Sequence, residues 1–483
     1  MNGPIRRTAI GLFTCLAMLL AGVTWYQVVR ADELRDDPRN PRGVLSERGK
    51  QRGLIVSSDG VVLARSVEDP TDARNYVREY PQGEAFTHLV GYSSFLVGNG
   101  GLEAAYNNQL RSRRDLTISD LVSIFLGRDL RPNSVEATID ADLQQAAFDA
   151  LGDNRGAVVA LDPRSGAVLA LVSKPSFDAE VLLGDDASIR WESLLADPSQ
   201  PVRDRATKEI YAPGSTFKTI VTATSLDTGH AGLGTTFDDP VEFQLPGSSA
   251  TIRNANERAC NDGETATLLQ AFVRSCNTIY ADLTIQLGAA DIGITAEALG
   301  FNQDIEFEWT IPRAVWETEQ LAQDPAALGQ SGIGERDVRA TPLHMAMIAA
   351  AVANGGRVYT PYAVSQVFDA DGGVVRRIEP DEMGRAMSEE TALTLTQMME
   401  RVVTEGTGRL AAVPGVRVAG KTGTATGNGP FGNPWFIGFA PVDNPTIALA
   451  VFIEGTEASG ESAGGGSVAA PIASDLFDVW LSR

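Results

Sequence analysis

Three short segments combine residue types and spacings suited to nucleophilic catalysis. In Ser215-Thr-Phe-Lys218 a hydroxyl and an amine stand three residues apart. Pro213 and Gly214 make a turn, and Thr216 to Leu226 has the apolar spacing of a helix, so Ser215 falls near that helix's N-terminus. Residues at i and i+3 share a helix face, which brings the Lys218 amine within reach of the hydroxyl. The free N–H groups of a first helical turn also suit a developing oxyanion. Standing alone, the pattern reads equally as a solvated helix face. Ser275-Cys-Asn277 sits between an apolar run at Leu268, Leu269, Phe272 and Val273 and another at Ile279, Leu283 and Leu287. Such a junction presents a hydroxyl and an amide to a cleft, or simply caps a helix. Lys421-Thr-Gly-Thr424 follows the strand-like alternation of Val416 and Val418. Gly420 and Gly423 let another backbone or a ligand approach, and a strand edge there offers N–H groups to an extended peptide. Its alternative is a solvent-facing edge carrying a protective lysine.

Composition adds weight to the two lysines. The 483 residues hold 40 Lys+Arg against 62 Asp+Glu, a net charge of −22, and lysine occurs only at 50, 174, 208, 218 and 421. Arginine has no accessible neutral form, whereas a lysine in a dry cationic site can lose its proton. Two of the five lysines therefore stand where a titratable amine is useful. The acidic balance and scattered cations exclude a nucleic-acid binder, which needs clustered positive charge. The three histidines, His88, His230 and His344, read as structural, which disfavours a Ser-His-Asp triad. No HExxH or CxxC pattern supports a metal site.

The elements that must hold these segments begin with an uncharged stretch of 22 residues, Thr8 to Val29, behind Arg6 and Arg7. As a helix it reaches about 33 Å, enough to cross a hydrocarbon core of about 30 Å. It is longer than the apolar part of a cleavable signal peptide, so it reads as an uncleaved anchor, with a signal peptide ending near Ala31 as the alternative. The basic residues before it place the N-terminus in the cytoplasm and the rest outside. In an oxidising compartment Cys260 and Cys276, 16 residues apart, are expected to form a disulfide closing a loop worth roughly 3 kcal/mol. Two buried thiols are the alternative.

Residues 1–7 then form a cytoplasmic tail, 8–29 the anchor, 30–140 a juxtamembrane linker and small mixed domain without evident chemistry, and 141–483 the catalytic domain. Leu54-Ile-Val56 and Val61-Val-Leu63 flank Ser58-Asp-Gly60 as a hairpin, and Ala141 to Leu151 reads as a helix. Apolar runs at Ala157–Leu161 and Ala167–Val172, and again at Trp435–Ala440 and Thr446–Ile453, bracket long helical patterns such as Thr341–Asn354. Strands at both ends with helices between them imply an α+β domain whose antiparallel sheet joins distant parts of the chain. A closing helix over Ser467–Leu481 carries Ile472, Leu476, Phe477 and Trp480 on one face.

With its SxxK, SxN and KTG motifs in this order, the sequence resembles the class B, monofunctional penicillin-binding proteins. Gly100-Gly-Leu-Glu103 with Tyr106, Thr138-Ile-Asp140 with Leu143-Gln144, Thr341-Pro-Leu-His-Met-Ala346 with Ala353-Asn-Gly-Gly356, and Glu405-Gly-Thr-Gly408 extend the resemblance over nearly the whole chain. The length, the short N-terminal module and the cysteine inside the SxN motif are most like the actinobacterial A type, and no glycosyltransferase domain fits before residue 150. The resemblance implies a penicillin-binding transpeptidase fold with an all-helical subdomain, and a D,D-transpeptidase that cross-links peptidoglycan stem peptides and is acylated by beta-lactams. It implies Ser215 as nucleophile, Lys218 as its base, and Ser275 and Lys421 as the relay to the leaving D-alanine. Asn277 would hold the peptide backbone, Thr422 and Thr424 the terminal carboxylate, and the N–H groups of Ser215 and Thr424, with Gly423 beside it, the oxyanion. It implies no cofactor or metal, and as partner a glycosyltransferase of the division or elongation machinery. A D,D-carboxypeptidase shares the first half-reaction, and an envelope scaffold or beta-lactam sensor could share the fold.

Overall fold

Five apolar strands build the sheet that carries the third motif. β1 (Gly156–Leu161), β2 (Val168–Lys174), β3 (Ala419–Thr426), β4 (Gly432–Ala440) and β5 (Ile447–Ile453) are arranged β3-β4-β5-β1-β2, all antiparallel. The sheet therefore joins the two ends of the catalytic segment, as its apolar pattern predicts. Every residue of β1 and β5 is buried, so both faces are covered, as continuous apolar strands require. β3 lies at the edge and has a single strand neighbour. It begins at Ala419, later than the Val416–Val418 alternation suggests, because Val416 pairs locally with Val413. The computed structural model describes residues 3–30, 49–70, 72–111, 131–427, 431–457, 459–460 and 463–483. Residues 31–48, at the start of the expected juxtamembrane linker, lie outside them.

The main helices of the catalytic segment are α1 (Lys218–Asp227), α2 (Leu268–Arg274), α3 (Asn277–Leu287), α4 (Pro342–Ala353), α5 (Glu389–Thr404) and α6 (Ala470–Leu481), of which α4, α5 and α6 pack on the sheet. The Ala/Met-rich α4 starts at a Thr341 cap with proline in its first turn and is buried from Pro342 to Val352, the signature of a helix apolar all round. It crosses β5, β1 and β4, while α5 packs on β3. The closing helix α6 packs on Ala141–Ala150 and β5, burying Ile472, Leu476 and Phe477. Trp480 is half-buried and donates its ring N–H to Thr446 at 3.1 Å. Between the strands in sequence, α1 and α3 pack with Ala289–Ala298, and α3 with Pro325–Gly332, as the all-helical part, while α2 packs on α5. At the other end, the helix Gly3–Thr24 continues through Trp25–Val29, and its 26-residue apolar span Gly3–Val28 is long enough to cross a membrane.

A second sheet has six strands, in the order Val374–Arg377, Val364–Phe368, Ser134–Ala137, Ile55–Val56, Val62–Asp69 and Asp72–Glu79. The Asp59-Gly60 hairpin is present, and Ile55–Val56 also pairs in parallel with Val135–Glu136. The hairpin at residues 364–377 reaches this sheet from far along the chain, so the N-terminal module and the catalytic segment share one set of ladders. Beneath it Glu103 is fully buried. It accepts from Arg78 Nε at 2.6 Å and from Arg52 Nη2 at 2.7 Å, with the Tyr80 hydroxyl at 3.3 Å. Burial alone raises a carboxyl's pKa, but the two guanidiniums outweigh it and hold Glu103 below its ordinary range. Removing the carboxylate strands two largely buried cations, so Glu103→Ala should cost about 3–5 kcal/mol in urea unfolding. A loss below about 1 kcal/mol would show that both guanidiniums find water instead.

Candidate active site

Ser215 lies in a 3₁₀ turn, Gly214–Phe217, that leads directly into α1. The α-helix proper starts at Lys218, two residues later than the apolar spacing suggests. The turn is pressed against β3 by two glycines that need left-handed backbone. Gly214 has φ +55°, and a Cβ there would lie 2.8 Å from the Thr424 carbonyl; Gly334 has φ +83°, and a Cβ there would lie 1.8 Å from the Gly214 oxygen. Only glycine allows both the conformation and the approach. The Gly214 N–H donates to Gly334 O at 2.9 Å, and the Trp435 ring N–H to Ala212 O at 3.0 Å. Among the described residues no side chain hydrogen-bonds the half-buried Ser215 hydroxyl.

The Lys218 amine is not spent on Ser215. It donates to the Ser275 carbonyl at 2.8 Å and to Asn277 Oδ1 at 2.7 Å, with Ser275 Oγ at 3.4 Å. Lys421 Nζ reaches the same Ser275 Oγ at 2.9 Å and the Thr422 carbonyl at 2.9 Å. The three motifs thus meet at one serine hydroxyl between two amines. Ser275 presents both oxygens because it ends α2 in the left-handed region, φ +63°, a conformation that costs a non-glycine residue of order 1 kcal/mol or more. Cys276 follows it and forms a disulfide with Cys260, Cα to Cα 5.8 Å, as expected. Since the cysteine side chain is tied up, Asn254 caps α3 instead, accepting from the Asn277 N–H at 2.7 Å and the Thr278 N–H at 3.3 Å. Asn277 also donates its amide to Arg253 O at 3.0 Å, which fixes its oxygen toward Lys218.

Both lysines are fully buried, with the Tyr280 ring 5.3 Å from Lys218 Nζ and the Phe272 ring 5.6 Å from Lys421 Nζ. Burial, and then the neighbouring Lys421 charge, hold Lys218 well below the ordinary lysine value, while burial lowers Lys421 to about 7. A neutral amine has two N–H groups and one lone pair. On Lys218 the two N–H groups serve Ser275 O and Asn277 Oδ1, which leaves the lone pair to accept a proton.

The strand register exposes the other half of the site. Thr424 stands opposite Pro434, which has no N–H to give. In an antiparallel ladder that makes the pair non-bonded, so Thr424 turns its own N–H away from the sheet, and so do Thr422 and Thr426. The Thr422 hydroxyl meets the Thr407 hydroxyl at 2.5 Å, and the exposed Thr424 hydroxyl accepts from the Gly465 N–H at 3.2 Å. Gly423 is buried between them and faces the serine turn. The Thr426 N–H donates to the Glu335 carboxylate at 2.9 Å, and burial raises the pKa of Glu335. None of the three histidines joins the cluster. His88 stacks edge-on with Phe177, exposed His230 meets Gln286, and buried His344 bonds Thr341. The motifs do not disclose Asn254, Thr407, Tyr280 or Glu335, although Thr407 lies in the Glu405–Gly408 stretch already singled out.

The penicillin binding protein transpeptidase domain model matches residues 156–478, and the penicillin binding protein A dimerisation domain model matches residues 52–135. The peptidoglycan D,D-transpeptidase PbpA of Mycolicibacterium smegmatis is 40% identical over 489 residues, spanning 98% of this chain and 97% of that protein. Its counterpart in Mycobacterium tuberculosis H37Rv is 38% identical over 499 residues, spanning 100% and 99%. The structure of M. tuberculosis penicillin-binding protein A as a penicillin G acyl-enzyme complex superposes with TM-score 0.81 at 35% identity, covering 89% of this chain and 100% of that one. The ceftriaxone acyl-enzyme complex gives 0.83 at 35%, covering 91% and 100%.

The buried Lys421 amine makes a signed prediction. Its folded pKa of about 7 lies below the unfolded value of about 10.4, so between these limits the unfolded chain binds a proton that the folded chain does not. This amine therefore opposes folding at and below pH 7, and the penalty fades as pH rises toward 10. Thermal unfolding at pH 7 and pH 9 should show the wild type gaining stability relative to Lys421→Met. Equal gains in both proteins would mean that Lys421 is charged at pH 9.

Proposed function

The chain belongs to the penicillin-binding protein transpeptidase family, and on that premise we infer that it is a serine D,D-transpeptidase that cross-links peptidoglycan stem peptides and is acylated by beta-lactams. The observation that carries this reading is the convergence of two desolvated lysines on Ser275 beside the Ser215 turn. Ser215 Oγ attacks the carbonyl between the two terminal D-alanines, and the Lys218 lone pair takes its proton. Negative charge on the tetrahedral oxygen falls between the N–H groups of Ser215 and Thr424; losing one such donor typically costs about 3–4 kcal/mol. Ser275, polarised by Lys421, passes a proton to the departing D-alanine amine. Asn277 steadies the peptide backbone, and the Thr422 and Thr424 hydroxyls hold the terminal carboxylate along the β3 edge, with Gly423 admitting the serine turn. An amine of a neighbouring stem then attacks the acyl-enzyme and restores Ser215. A beta-lactam follows the same first step, but its leaving nitrogen stays tethered and the ester persists.

The anchor and its setting complete the proposal. Arg6 and Arg7 lie in the first turns of the spanning helix, before the uncharged stretch Thr8–Val29, and favour a cytoplasmic N-terminus with the catalytic segment, 141–483, on the wall side. Residues 30–140 link it to the membrane and carry the non-catalytic module. Because the reaction consumes stem peptides on freshly polymerised glycan, a glycosyltransferase of the division or elongation machinery is the proposed partner.

Ser215→Ala should abolish covalent labelling by a fluorescent penicillin, and peptide mapping of the wild-type adduct should return Ser215. Lys218→Arg should also lose labelling by at least two orders of magnitude, since a guanidinium keeps the charge but cannot take the proton. Persistent labelling of the serine variant would overturn the assignment.

A further inference from the structure

The mechanism uses the outward edge of β3 only at Thr422 and Thr424. Further along, the N–H of Thr426 is occupied by the Glu335 carboxylate at 2.9 Å. Glu335 follows Gly334, the residue pressed on the serine turn, so one loop touches both the nucleophile's turn and the end of the strand edge. Capping an edge N–H requires only an oxygen, and a neutral amide would supply one without the cost of partly desolvating a charge. Burial raises the Glu335 pKa more than the Arg339 charge draws it down, and neither Arg339 nor Arg336 pairs with this carboxylate. Arg336 pairs with Asp337 at 3.1 Å and Asp324 at 3.4 Å, and Arg339 donates to the carbonyls of Arg336 at 2.5 Å and Val338 at 2.7 Å. Among the described residues no arginine or lysine forms an ion pair with Glu335, which remains half-exposed at the cleft.

The direction of the donor peptide follows from the roles proposed above, on which this step rests. Its scissile carbonyl lies at the Thr424 N–H and its terminal carboxylate toward Thr422, so its preceding residues run antiparallel to β3, toward Thr426, about 7 Å further along. There they meet Glu335. The acceptor half-reaction requires a free amine on a stem peptide, and donor and acceptor are drawn from the same polymer, so the donor carries such an amine as well. We propose that Glu335 is a specificity residue for the donor, pairing its carboxylate with a cationic side chain on the residue that precedes the two D-alanines.

The test compares two donors, Nα-acetyl-L-lysyl-D-alanyl-D-alanine with its free ammonium and the same peptide acetylated on both amines. Each is assayed with the full-length chain in detergent by exchange of the terminal D-alanine for a labelled D-amino acid. The wild type should favour the ammonium donor in kcat/KM by roughly fivefold, the upper range for a half-exposed ion pair. Glu335→Gln, which keeps an oxygen for the Thr426 N–H, should bring the ratio to about one, as should salt near 1 M in the wild type. Because the readout is a ratio within one protein, loss of folded enzyme cancels. A wild-type ratio near one, or a ratio unmoved by Glu335→Gln, overturns the proposal while leaving the transpeptidase reading intact. Absence of both exchange and penicillin labelling in the wild type overturns the two together.

Discussion

Two amines with no carboxylate to neutralise them are enclosed within reach of one serine hydroxyl, and much of the catalytic domain follows from that enclosure. Among the described residues neither Lys218 nor Lys421 forms a salt bridge, and both are fully buried. An uncompensated buried cation is costly enough that the group gives up its proton instead. The walls that impose this are aromatic and apolar: Tyr280 beside Lys218, Phe272 beside Lys421, and the packing of α2 against α5. Water entering this pocket would restore the ordinary lysine pKa and remove the proposed base. The left-handed turn at Ser275 must therefore keep its place, and the Cys260 disulfide, the Asn254 cap on α3 and the Arg274 guanidinium on the Cys260 carbonyl all converge on that short stretch.

The position of Ser215, the proposed nucleophile, depends on a different contact, the meeting of a turn with a strand edge. Gly214 against Thr424 and Gly334 against Gly214 set the distance between the serine turn and β3. Pro434, by lacking an N–H, decides which β3 amides face outward. The result is one rigid frame: the proposed oxyanion donors come from two elements that cannot separate without opening glycine contacts, and the proposed relay pair comes from the end of α2, which packs on α5, and from β3 itself. α4, buried on every side beneath β5, β1 and β4, carries that rigidity through the middle of the domain.

Local pattern made the motifs, the five strands, the central buried helix and the spanning helix legible, because each is written within one continuous stretch of sequence. The disulfide was legible from compartment and spacing. What stayed hidden depends on partners far apart in sequence. Ser215 and Lys218 stand three residues apart across the turn into α1, yet the lysine's hydrogen bonds go to Ser275 and Asn277, 57 and 59 positions away. The Thr407–Thr422 pair spans 15 positions and Glu335–Thr426 spans 91. Nothing near Val364 or Val374 shows that this hairpin completes a sheet begun at Ile55, because alternation marks a strand but not its neighbour. Val416 illustrates the converse: its alternation with Val418 is genuine, but a local bridge to Val413 claims it before the strand begins.

The scarcity of lysine acquires a physical meaning from these contacts. Arginine makes the buried ion pairs on Glu103 and the partly buried ones on Glu454. That is the residue to use where a charge must persist, since the guanidinium keeps its proton and forks onto a carboxylate. Four of the five lysines lie against aromatic rings instead: Lys218 and Lys421 in the site, Lys174 over Phe148 at 4.1 Å, and Lys208 over Trp309 at 5.8 Å. Only the first two are fully buried, so only there does the ring become part of a dry wall. An arginine in either place would carry its charge into that wall and fill the space where a lone pair is needed. The division of labour between the two cations thus follows the chemistry each position must perform: a permanent charge for structure, and a proton that can be released where a hydroxyl must be activated.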